Sequence, residues 1–593
     1  MNFPHFALLA LTTISVSLSA SAADVAHWPL DTYKAERWSL PHGQVKSVPG
    51  AKGGGLKLDG ASVIELQESA PLANESFTVS LWFNPYDLSG GQQILAGKNR
   101  YSRGERQWSL TIEPDGKLKA HLWQKGWVTI PCPHSLNPGA WHWTVLSVSK
   151  DRATLYLNGQ AVGETPLKSP ISHTDSPITL GGIWDAGHVR QAFTGAVDDC
   201  LIHPFARSPE EIAKGYEPSA VAHDLPKPTP PVPLWDASQI LPAAEALPQV
   251  EGATFHVLKA RRPDNDGCRW TLGVGLEWHK GKLYASYGFN TGEENTPSEE
   301  AHVRVSEDGG KTWGKPLVMD AGEGDLGVSH GVFLSHKGSL WAFMGAFHGH
   351  FKGTTHTRAY RLDEQTQRWS PLGTVLTDGF WPMQQPQKMA DGNWIMAGLH
   401  VSSGPENGSN PPTVAISKGD DLTKWEQVII PTAPNLGTNI WGESTVIVQG
   451  KRILNISRYG TKPLALLSVS EDFGRTWSPA SASNMPMATS KPYAGTLSTG
   501  QKYLVCTNTS NTGGARSPLT IAVSKPGASL FSKVFRIRTS EFSGTPGVSA
   551  PKVDFSYPYA VEHDGMLYVG YTHKSHAANE LAIIPVKSLL IAP

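Results

Sequence analysis

Short runs of alternating hydrophobic and polar residues, separated by Gly, Asn and Pro, cover the N-terminal third of the chain. Clear examples are residues 77–83, 141–147 and 153–159. Runs of this length between turn residues are typical of β-strands, and their regular spacing favours two packed sheets. We therefore predict a β-sandwich over residues 23–217.

From Glu251 onward the pattern repeats. A strand-and-turn segment ends in an aromatic residue at Trp313, Trp369, Trp425, Trp477 and Phe531, at intervals of 56, 56, 52 and 54 residues. A period near fifty with about four strands in each unit indicates a β-propeller. Counting a sixth unit over residues 554–593 predicts an all-β chain, with a β-sandwich followed by a six-bladed β-propeller at residues 251–593.

Two further segments complete the predicted domain organisation. An apolar run near the N-terminus closes with Ala20, Ser21 and Ala22, which predicts a signal peptide over residues 1–22 and a secreted protein. This segment contains no Lys or Arg, so an uncleaved anchor is the alternative. No later segment reaches the length of a membrane span. The Pro-rich residues 218–250 predict an extended linker.

Composition excludes several classes of function. The 51 basic and 52 acidic residues nearly cancel, so no global field attracts nucleic acid or an anionic membrane. The four cysteines lack CxxC spacing and are too few for a disulfide scaffold, although Cys132 and Cys200 are candidates for one bond. The histidines at 348, 350 and 356 show no recognised ligand spacing, so we expect neither metal nor cofactor. The oligomeric state is left open.

Propeller geometry selects the candidate site. The innermost strand of each blade starts near one face of the axis, so the side chains at these starts converge on one pocket. The repeat places polar or aromatic residues at all six starts, namely Arg269, His330, Gln385, Glu443, Tyr493 and Tyr557.

Two sets of motifs resemble known families. Residues 27–31, 77–82, 155–159 and 193–198 are similar to the laminin-G-like, concanavalin-type jelly roll, a module that serves as a glycan binder or as a spacer. Residues 306–313 and 470–477 both read S-x-D-x-G-x-x-W, which resembles the Asp-box (BNR repeat) of sialidases. The Asp of this motif accepts turn amide hydrogens, so it indicates fold and carries no chemistry.

The resemblance to exo-sialidases extends over the whole predicted propeller and implies roles for five residues. Arg269, Arg458 and Arg516 match the three arginines that clamp the substrate carboxylate. Tyr557 resembles the nucleophile, and Glu443 resembles the glutamate that activates it. The resemblance implies a secreted, retaining exo-α-sialidase (neuraminidase), a glycoside hydrolase that releases terminal sialic acid from glycoconjugates such as mucin-type glycans.

The acid/base of that family is an aspartate, which has no match before the first Asp-box. Counting from the Asp-box favours Glu300, and counting from Arg269 favours Glu294. Other side chains are expected at the pocket rim in contact with the sugar, where one of them could replace the missing acid: His330, His348, Trp381, Gln384 and Gln385. Trp441, next to the Glu443 motif, is a further candidate for substrate binding.

Two other functions fit the same residues. Arginines that neutralise a carboxylate, with a His or Tyr to abstract the C5 proton, would suit a propeller polysaccharide lyase or a glycosidase acting on uronate-containing glycans. Propellers and jelly rolls also serve as lectins, so a non-catalytic glycan-binding protein is the third hypothesis.

Overall fold

The computed structural model describes residues 25–32, 37–67, 75–88, 92–113, 115–185, 187–223, 231–401, 410–433, 436, 440–460, 462–539, 554–573 and 578–591. The predicted signal peptide lies outside these residues. The described residues form two compact units, one up to residue 223 and one from residue 231. Within the described ranges, no helix has the length and apolar character needed to cross a membrane.

The first unit is a sandwich of two antiparallel sheets, as the alternating pattern predicts. One sheet contains, in spatial order, Gln160–Pro166, Arg152–Leu157, His142–Val148, Phe77–Pro85, Thr194–His203, Gly54–Asp59 and Lys46–Pro49, with Ala26–Trp28 also beside Thr194–His203. The other contains Trp127–Ser135, Lys117–Trp123, Glu105–Ile112, Gln93–Arg100, Ile178–Leu180, Val63–Leu66 and Trp38–His42. A hairpin, Ile183–Asp185 with His188–Arg190, a 3-10 turn at Tyr101–Arg103 and the helix Pro209–Gly215 complete the unit.

The core of this unit follows directly from strand alternation. Strand Lys117–Trp123 buries Leu118, Ala120 and Leu122, while the intervening side chains are partly exposed. The helix Pro209–Gly215 begins with a capping box, because the Ser208 hydroxyl accepts from the Glu211 amide and the Glu211 carboxylate accepts from the Ser208 amide.

The predicted bond between Cys132 and Cys200 is wrong. All four cysteines are buried and carry free thiols. Cys132 lies in Trp127–Ser135, at the edge of the seven-stranded sheet, whereas Cys200 lies in Thr194–His203, inside the other sheet. The Cys132 thiol donates to the His134 carbonyl at 3.7 Å instead. Sequence spacing does not reveal on which sheet a cysteine lies.

In the described residues of the second unit, six antiparallel sheets form the predicted propeller. Blades 1 to 3 are Trp270–His279, Lys282–Asn290, Glu299–Ser306 and Leu317–Asp320; Leu326–His336, Ser339–His348, His356–Asp363 and Arg368–Leu376; Phe380–Pro382 with Gln387–Lys388, Trp394–His400, Pro412–Lys418 and Asp421–Ile429. Blades 4 to 6 are Ser444–Gln449, Arg452–Arg458, Leu464–Ser470 and Ser481–Pro486; Tyr493–Thr496, Lys502–Cys506, Leu519–Ser524 and Phe531–Arg538; Phe555–His563, Met566–His573, Ala578–Pro585 and Thr254–Ala260. The short helix Pro263–Asp266 and 3-10 turns at Ala244–Ala246 and Val586–Leu589 lie outside the sheets.

The ring closes through the two ends of the repeat. Thr254–Ala260, the first strand of the unit, pairs with Ala578–Pro585 from its C-terminus, so blade 6 is built from both ends. The first strand of blade 1 contacts the first strands of blades 2 and 6, so these strands lie around the axis. Pairing of this kind joins the two ends of the repeat within one sheet.

The two complete Asp-boxes have the structural role expected from their sequence. Thr312 donates to Asp308 through its amide at 2.9 Å and its hydroxyl at 2.6 Å, and the Gly310 amide donates to Ser306 at 2.7 Å. The second motif repeats this geometry around Asp472. Each carboxylate is occupied by its own turn and is therefore unavailable for chemistry.

Residues 231–250, in the second half of the predicted linker, pack on the propeller. The Val232 amide donates to the Ala482 carbonyl at 3.0 Å, and Trp235 forms a bridge with Phe531 of blade 5. Leu234 is 1% exposed within the apolar cluster between blades 4 and 5. This part of the segment contributes to the propeller core, while the linker boundaries themselves stay a prediction.

We expect Leu234→Ala to lower the free energy of unfolding of the propeller by about 2–5 kcal/mol, because truncating a buried leucine leaves a cavity. Ile240→Ala is the control in the same segment, since Ile240 is 91% exposed and should change stability by less than about 0.5 kcal/mol. Calorimetry, with the transitions of the two units assigned separately, measures the difference. Equal stability of the two variants would contradict the packing role of this segment.

Candidate active site

Three blades carry a β-bulge near the start of their first strand. The pairing register shifts between Leu272 and Gly275 in blade 1, between Val328 and Gly331 in blade 2, and between Ser556 and Tyr559 in blade 6. A bulge re-aims the side chains that it contains. In this propeller the bulges turn polar side chains toward the axis at one end of the ring.

Tyr557 occupies the bulge of blade 6 with strained backbone geometry. Its φ is 53°, in the left-handed region that non-glycine residues seldom adopt. The bulge of blade 1 makes room for its neighbour, because a Cβ on Gly273 would lie 2.3 Å from the ring of His330. His330 in turn meets the Tyr557 ring edge-on, with ring centroids 5.5 Å apart.

The bulges surround a cavity of about 390 Å³ at this end of the propeller. Its walls combine carboxylates, two arginines and several aromatic rings. The lining residues are Trp270, Leu272, Glu294, Asn295, Glu299, Ser329, His330, Phe351, Trp381, Met383, Leu399, Val401, Trp441, Glu443, Arg458, Arg516, Ser556 and Tyr557.

The hairpin of blade 4 places Glu443 beside Arg458. Ser444 pairs with Ser457, so Glu443, which precedes Ser444, lies opposite Arg458, which follows Ser457. The Arg458 amide donates to the Glu443 carbonyl at 3.0 Å. Their side chains continue this pairing, because Arg458 Nη1 donates to Glu443 Oε2 at 2.8 Å. The carboxylate is 2% exposed, so the arginine supplies the charge partner that burial requires.

The second oxygen of Glu443 accepts a hydrogen bond from the Tyr557 hydroxyl. Burial, followed by the negative charge of Glu443, raises the pKa of the Tyr557 phenol well above its ordinary value. The resting pair is therefore a neutral phenol on a carboxylate. Such a phenol becomes nucleophilic only when the carboxylate takes its proton as a bond forms.

Arg516 enters the cavity from blade 5 and is anchored to Phe555–His563, the strand that contains Tyr557. Its Nη1 donates to the Ser556 hydroxyl at 3.0 Å, and its Nη2 donates to the Thr489 carbonyl at 2.9 Å. The Phe555 amide donates to the Arg516 carbonyl at 2.8 Å. Both side-chain partners are neutral, so among the described residues the guanidinium of Arg516 forms no ion pair.

Glu299 brings a third carboxyl group to the cavity, at the start of the third strand of blade 1. It is 1% exposed, and its Oε1 accepts from the Ser329 hydroxyl. Burial raises the pKa of the Glu299 carboxyl to about 8, so it is protonated at neutral pH. Gly288 leaves the space that this group occupies, since a Cβ there would approach Glu299 Oε1 to 3.1 Å.

The neighbouring His330 is neutral. Burial and the charge of Lys491 lower the pKa of its imidazole to about 3. Its Nδ1 lies 3.0 Å from the Ser329 hydroxyl, which links the imidazole to Glu299. At neutral pH the imidazolium form of His330 is therefore essentially absent, whereas Glu299 carries a proton, so Glu299 is the better candidate for an acid in this cluster.

Several buried polar atoms of the lining lack a protein partner. Among the described residues, no hydrogen bond reaches Glu299 Oε2, His330 Nε2, Trp381 Nε1 or Arg458 Nε. Buried polar atoms are nearly always paired in native proteins. Four unpaired atoms around one cavity therefore indicate that the cavity binds a polar ligand.

The predicted site residues divide into two groups. The structure brings together Glu294, His330, Trp381, Trp441, Glu443, Arg458, Arg516 and Tyr557 as lining residues. It places Arg269, Glu300, His348, Gln384 and Gln385 outside the lining.

Arg269 and Glu300 of blade 1 are not among the residues that line the cavity. Arg269 is exposed and precedes the strand, so that Trp270 takes the inward position. Glu300 follows Glu299 in an extended strand and therefore points to the opposite face, where its Oε2 lies 2.8 Å from His302 Nε2.

The side chains of the remaining three residues contact other protein groups outside the cavity. His348 is exposed, and its Nδ1 lies 2.9 Å from Asp325. Gln384 is buried and joins blades 3, 4 and 5, because it accepts from the Val446 amide at 2.6 Å and donates to the Ala494 carbonyl at 2.7 Å. Gln385 accepts from the hydroxyls of Tyr493 and Tyr559, deeper along the axis than the cavity.

Sequence reasoning missed Glu299, although its strand carries a usable signal. Residues 299–306 alternate, and the apolar positions Ala301 and Val303 are fully buried. Glu299 shares their parity, whereas Glu300 does not. Alternate residues of a strand point to the same face, so Glu299 points the same way as the buried Ala301 and Val303. This alternation selects Glu299, whereas the sequence distances to Arg269 and to the Asp-box do not.

Two protein families match the sequence. Residues 58–213 match the family described as Concanavalin A-like lectin/glucanases superfamily, and residues 281–569 match the BNR repeat-like domain. The second match covers most of the propeller, including both Asp-boxes. The propeller thus contains a BNR repeat-like domain. The N-terminal unit of the chain is a concanavalin-like jelly roll.

Solved structures similar to this BNR-repeat protein include three sialidases. The NanB sialidase of Streptococcus pneumoniae is 13% identical, with 87% of this chain and 96% of that chain covered at a TM-score of 0.41. A leech intramolecular trans-sialidase is 12% identical, with coverage of 92% and 98% and a TM-score of 0.40. A Hadza microbial sialidase is 13% identical, with coverage of 92% and 96% and a TM-score of 0.45. No curated protein matches the sequence.

The histidines at 348, 350 and 356 belong to no cluster of potential metal ligands among the described residues. Among the described residues, no group of three or more His, Cys, Asp or Glu side chains is arranged to hold a metal ion.

Proposed function

We propose that this BNR-repeat protein is a secreted, retaining exo-α-sialidase with Tyr557 as its nucleophile. The observation that carries the proposal is the hydrogen bond from the Tyr557 hydroxyl to Glu443 inside a cavity that also contains Arg458 and Arg516. Secretion rests on the sequence pattern of residues 1–22.

A tyrosine suits a sugar whose anomeric carbon carries a carboxylate. An anionic carboxylate nucleophile would approach this carbon against like charge, whereas a neutral phenol does not. Glu443 removes the phenolic proton only as the new bond forms, which keeps the approaching group neutral. The Tyr557–Glu443 pair therefore favours an acidic sugar over a neutral one.

The arginines of the cavity support the same class of substrate. Guanidinium groups bind carboxylates through two parallel hydrogen bonds and stay charged at any relevant pH. Among the described residues, Arg458 has its Nε unpaired, and the hydrogen-bond partners of the Arg516 side chain are neutral. These two groups are positioned to bind one carboxylate, in place of the three arginines that the sequence suggests.

We assign the acid/base role to Glu299, because it is protonated at neutral pH and lines the same cavity. In the first step, the Tyr557 oxygen bonds to the anomeric carbon and its proton passes to Glu443. The bond to the leaving oxygen breaks, and that oxygen takes the proton of Glu299. In the second step, water attacks the anomeric carbon and gives a proton to Glu299, while the Tyr557 oxygen leaves and recovers its proton. Two displacements retain the configuration.

The size of the cavity favours a terminal sugar. A volume of about 390 Å³ lies at the lower end of the range for small-molecule pockets, roughly 300–1,000 Å³. It suits one sugar unit with part of its aglycone rather than several units of a polymer. The rings of Trp270, Phe351, Trp381 and Trp441 provide apolar walls for the carbon faces of that sugar.

Product analysis on a mixed panel of sialylated and uronate-containing glycans tests the proposal. We expect free sialic acid, released from the chain end, with the α-anomer formed first as followed by proton NMR. An unsaturated uronate product with no sialic acid would replace the proposal with a lyase. Tight binding without turnover, measured by calorimetry and long incubation, would replace it with a glycan-binding protein.

Arg516→Ala should weaken the binding of an anionic sugar analogue by about 1.5–3 kcal/mol, the range for hydrogen bonds to charged groups. A neutral analogue, with its carboxylate reduced to an alcohol, should bind wild type and variant alike. Arg269→Ala is the matched control, because Arg269 is exposed outside the cavity and should leave the affinity unchanged. Calorimetric Kd values provide the measurement. A silent Arg516 together with a sensitive Arg269 would invalidate the two-arginine site.

A further inference from the structure

Lys491 is a buried cation behind the nucleophile that no step above uses. It is 3% exposed and precedes the first strand of blade 5. Within the described residues it forms no salt bridge, and its Nζ donates to the Pro558 carbonyl at 2.8 Å. Burying an ammonium without a carboxylate partner is costly. A buried lysine of this kind therefore calls for an explanation beyond packing.

A small cavity of about 10 Å³ connects Lys491 with the catalytic cluster. It is lined by Lys491 and Tyr559 together with His330 and Tyr557, which also line the active-site cavity. This space is at the lower limit for one water molecule and is too small for a ligand. Lys491 therefore acts on the protein side of Tyr557 and does not touch the substrate.

The hydrogen bond of Lys491 falls on the strained part of the nucleophile strand. Pro558 follows Tyr557, whose φ of 53° lies in the left-handed region. Strained conformations of this kind persist only where the surroundings hold them. The ammonium group holds the peptide carbonyl next to the bulge and thereby the direction of the Tyr557 side chain.

Lys491 also interacts electrostatically with Glu443 of the Tyr557–Glu443 pair. The groups that face it are Glu443, Tyr557, Tyr493, Tyr559, His330 and Cys506. Burial lowers the pKa of Lys491 to about 7, and the charge of Glu443 opposes this shift. Glu443 is the carboxylate in this set, and it loses its negative charge when it takes the proton of Tyr557.

We propose that Lys491 is a positioning residue for the nucleophile, which holds the Pro558–Tyr559 peptide of the bulge, directly after Tyr557, and places a positive charge behind the phenol. The inference rests on the proposed function, because it assumes that Tyr557 attacks the sugar.

Lys491→Met and Lys491→Gln test the inference through kcat and KM on a soluble sialoside. We expect kcat to fall by about 10- to 100-fold in Lys491→Met, which is less than the loss of a donor in direct contact with the transition state. KM should change by less than about threefold, since Lys491 does not contact the sugar. Lys491→Gln keeps an N–H donor for Pro558 but loses the charge, so it should recover only part of kcat.

Lys502→Met is the matched control. Lys502 is also 3% exposed, its Nζ also donates to a carbonyl, that of Ala528, and neither residue lines the cavity. The Lys502→Met variant should lose stability as Lys491→Met does, but it should keep the wild-type kcat. Thermal unfolding and the Kd of an anionic analogue show whether each variant is folded with an intact pocket.

The pH dependence separates a role of charge from a purely structural one. Lys491 is charged below about pH 7 and neutral above it, so the benefit of its charge is lost as the pH rises. The ratio of kcat between wild type and Lys491→Met should therefore shrink from about pH 5.5 to about pH 8.5. Titration of Glu299 affects both proteins alike and cancels in the ratio. A ratio independent of pH, or wild-type kcat in Lys491→Gln, would overturn the role of the charge.

The failure of this inference is distinct from the failure of the proposed function. Activity that survives Tyr557→Phe would remove the function and the inference together. An inactive Tyr557→Phe beside a folded Lys491→Met with wild-type kcat would overturn the role of Lys491 alone.

Discussion

Tyr557→Phe is expected to lower kcat on a sialylated glycan by about a thousandfold or more. The substitution removes one oxygen, which is both the attacking atom and the donor to Glu443. Without it, the first displacement has no nucleophile, although the arginines and the aromatic walls of the cavity remain. Binding of an anionic analogue should stay within about threefold of wild type, so the loss appears in kcat and not in affinity.

The control for this substitution is Tyr360→Phe. Tyr360 of blade 2 is 1% exposed, and its hydroxyl donates to Asp320 of blade 1 at 2.6 Å, outside the cavity lining. Both variants therefore lose one hydroxyl with an acidic partner, but only one of them should lose activity. Steady-state kinetics and mass spectrometry of a trapped fluorosugar adduct provide the readouts. An adduct on a residue other than Tyr557, or wild-type turnover in Tyr557→Phe, would refute the assignment of the nucleophile.

Glu299→Gln is expected to lower kcat on natural glycans by about 100- to 10,000-fold, the usual contribution of general acid–base catalysis. The leaving oxygen of such a substrate needs a proton, and the amide cannot supply one. With an aryl glycoside, whose phenolate leaves without a proton, the loss of the first step should be less than about tenfold. This dependence on the leaving group is the property that a merely structural glutamate would not show.

The same assignment predicts in which direction the rate changes with pH. Burial raises the pKa of Glu299 to about 8, so its acid form is present at neutral pH and is lost as the pH rises through this value. The wild-type rate on natural glycans should therefore fall above about pH 8. Activity on the aryl glycoside should depend less on pH in this range, because its first step does not need the acid.

Glu300→Gln and Glu294→Gln distinguish the three neighbouring glutamates. Glu300 lies opposite Glu299 on the strand and contacts His302, so its variant should keep nearly full activity. Glu294 lines the cavity and is the real competitor. A leaving-group dependence in Glu294→Gln, with none in Glu299→Gln, would transfer the acid role to Glu294.

Much of the fold follows from local patterns. The Asp-box joins a serine, an aspartate, a glycine and a tryptophan in one turn, so the residues that define it are close in sequence and in space. Alternation likewise reports local geometry, since each strand needs one face for the core. Both patterns were sufficient for the sandwich and for six blades. They did not reveal the sheet on which Cys132 or Cys200 lies, because that depends on strand order.

The candidate site was predictable where residues come in register within one hairpin. Glu443 and Arg458 oppose each other because the two-residue turn of blade 4 sets their pairing. Arg269 was selected because residues 268–270 resemble the motif of the family's first arginine, and such a resemblance does not report the direction of a side chain. Arg269 is adjacent to Trp270, and adjacent side chains of an extended chain point to opposite faces.

The sequence by itself determined the all-β class, the period of the blades and the chemical types available at their inner ends. Tertiary structure alone decided which of these side chains meet. Tyr557, Glu443, Glu299 and Lys491 come from four different blades, and their convergence depends on bulges and ring closure that involve residues hundreds of positions apart. Local sequence encodes the strand, because backbone geometry is local. The site depends on how the strands are arranged around the axis, which is a property of the whole ring.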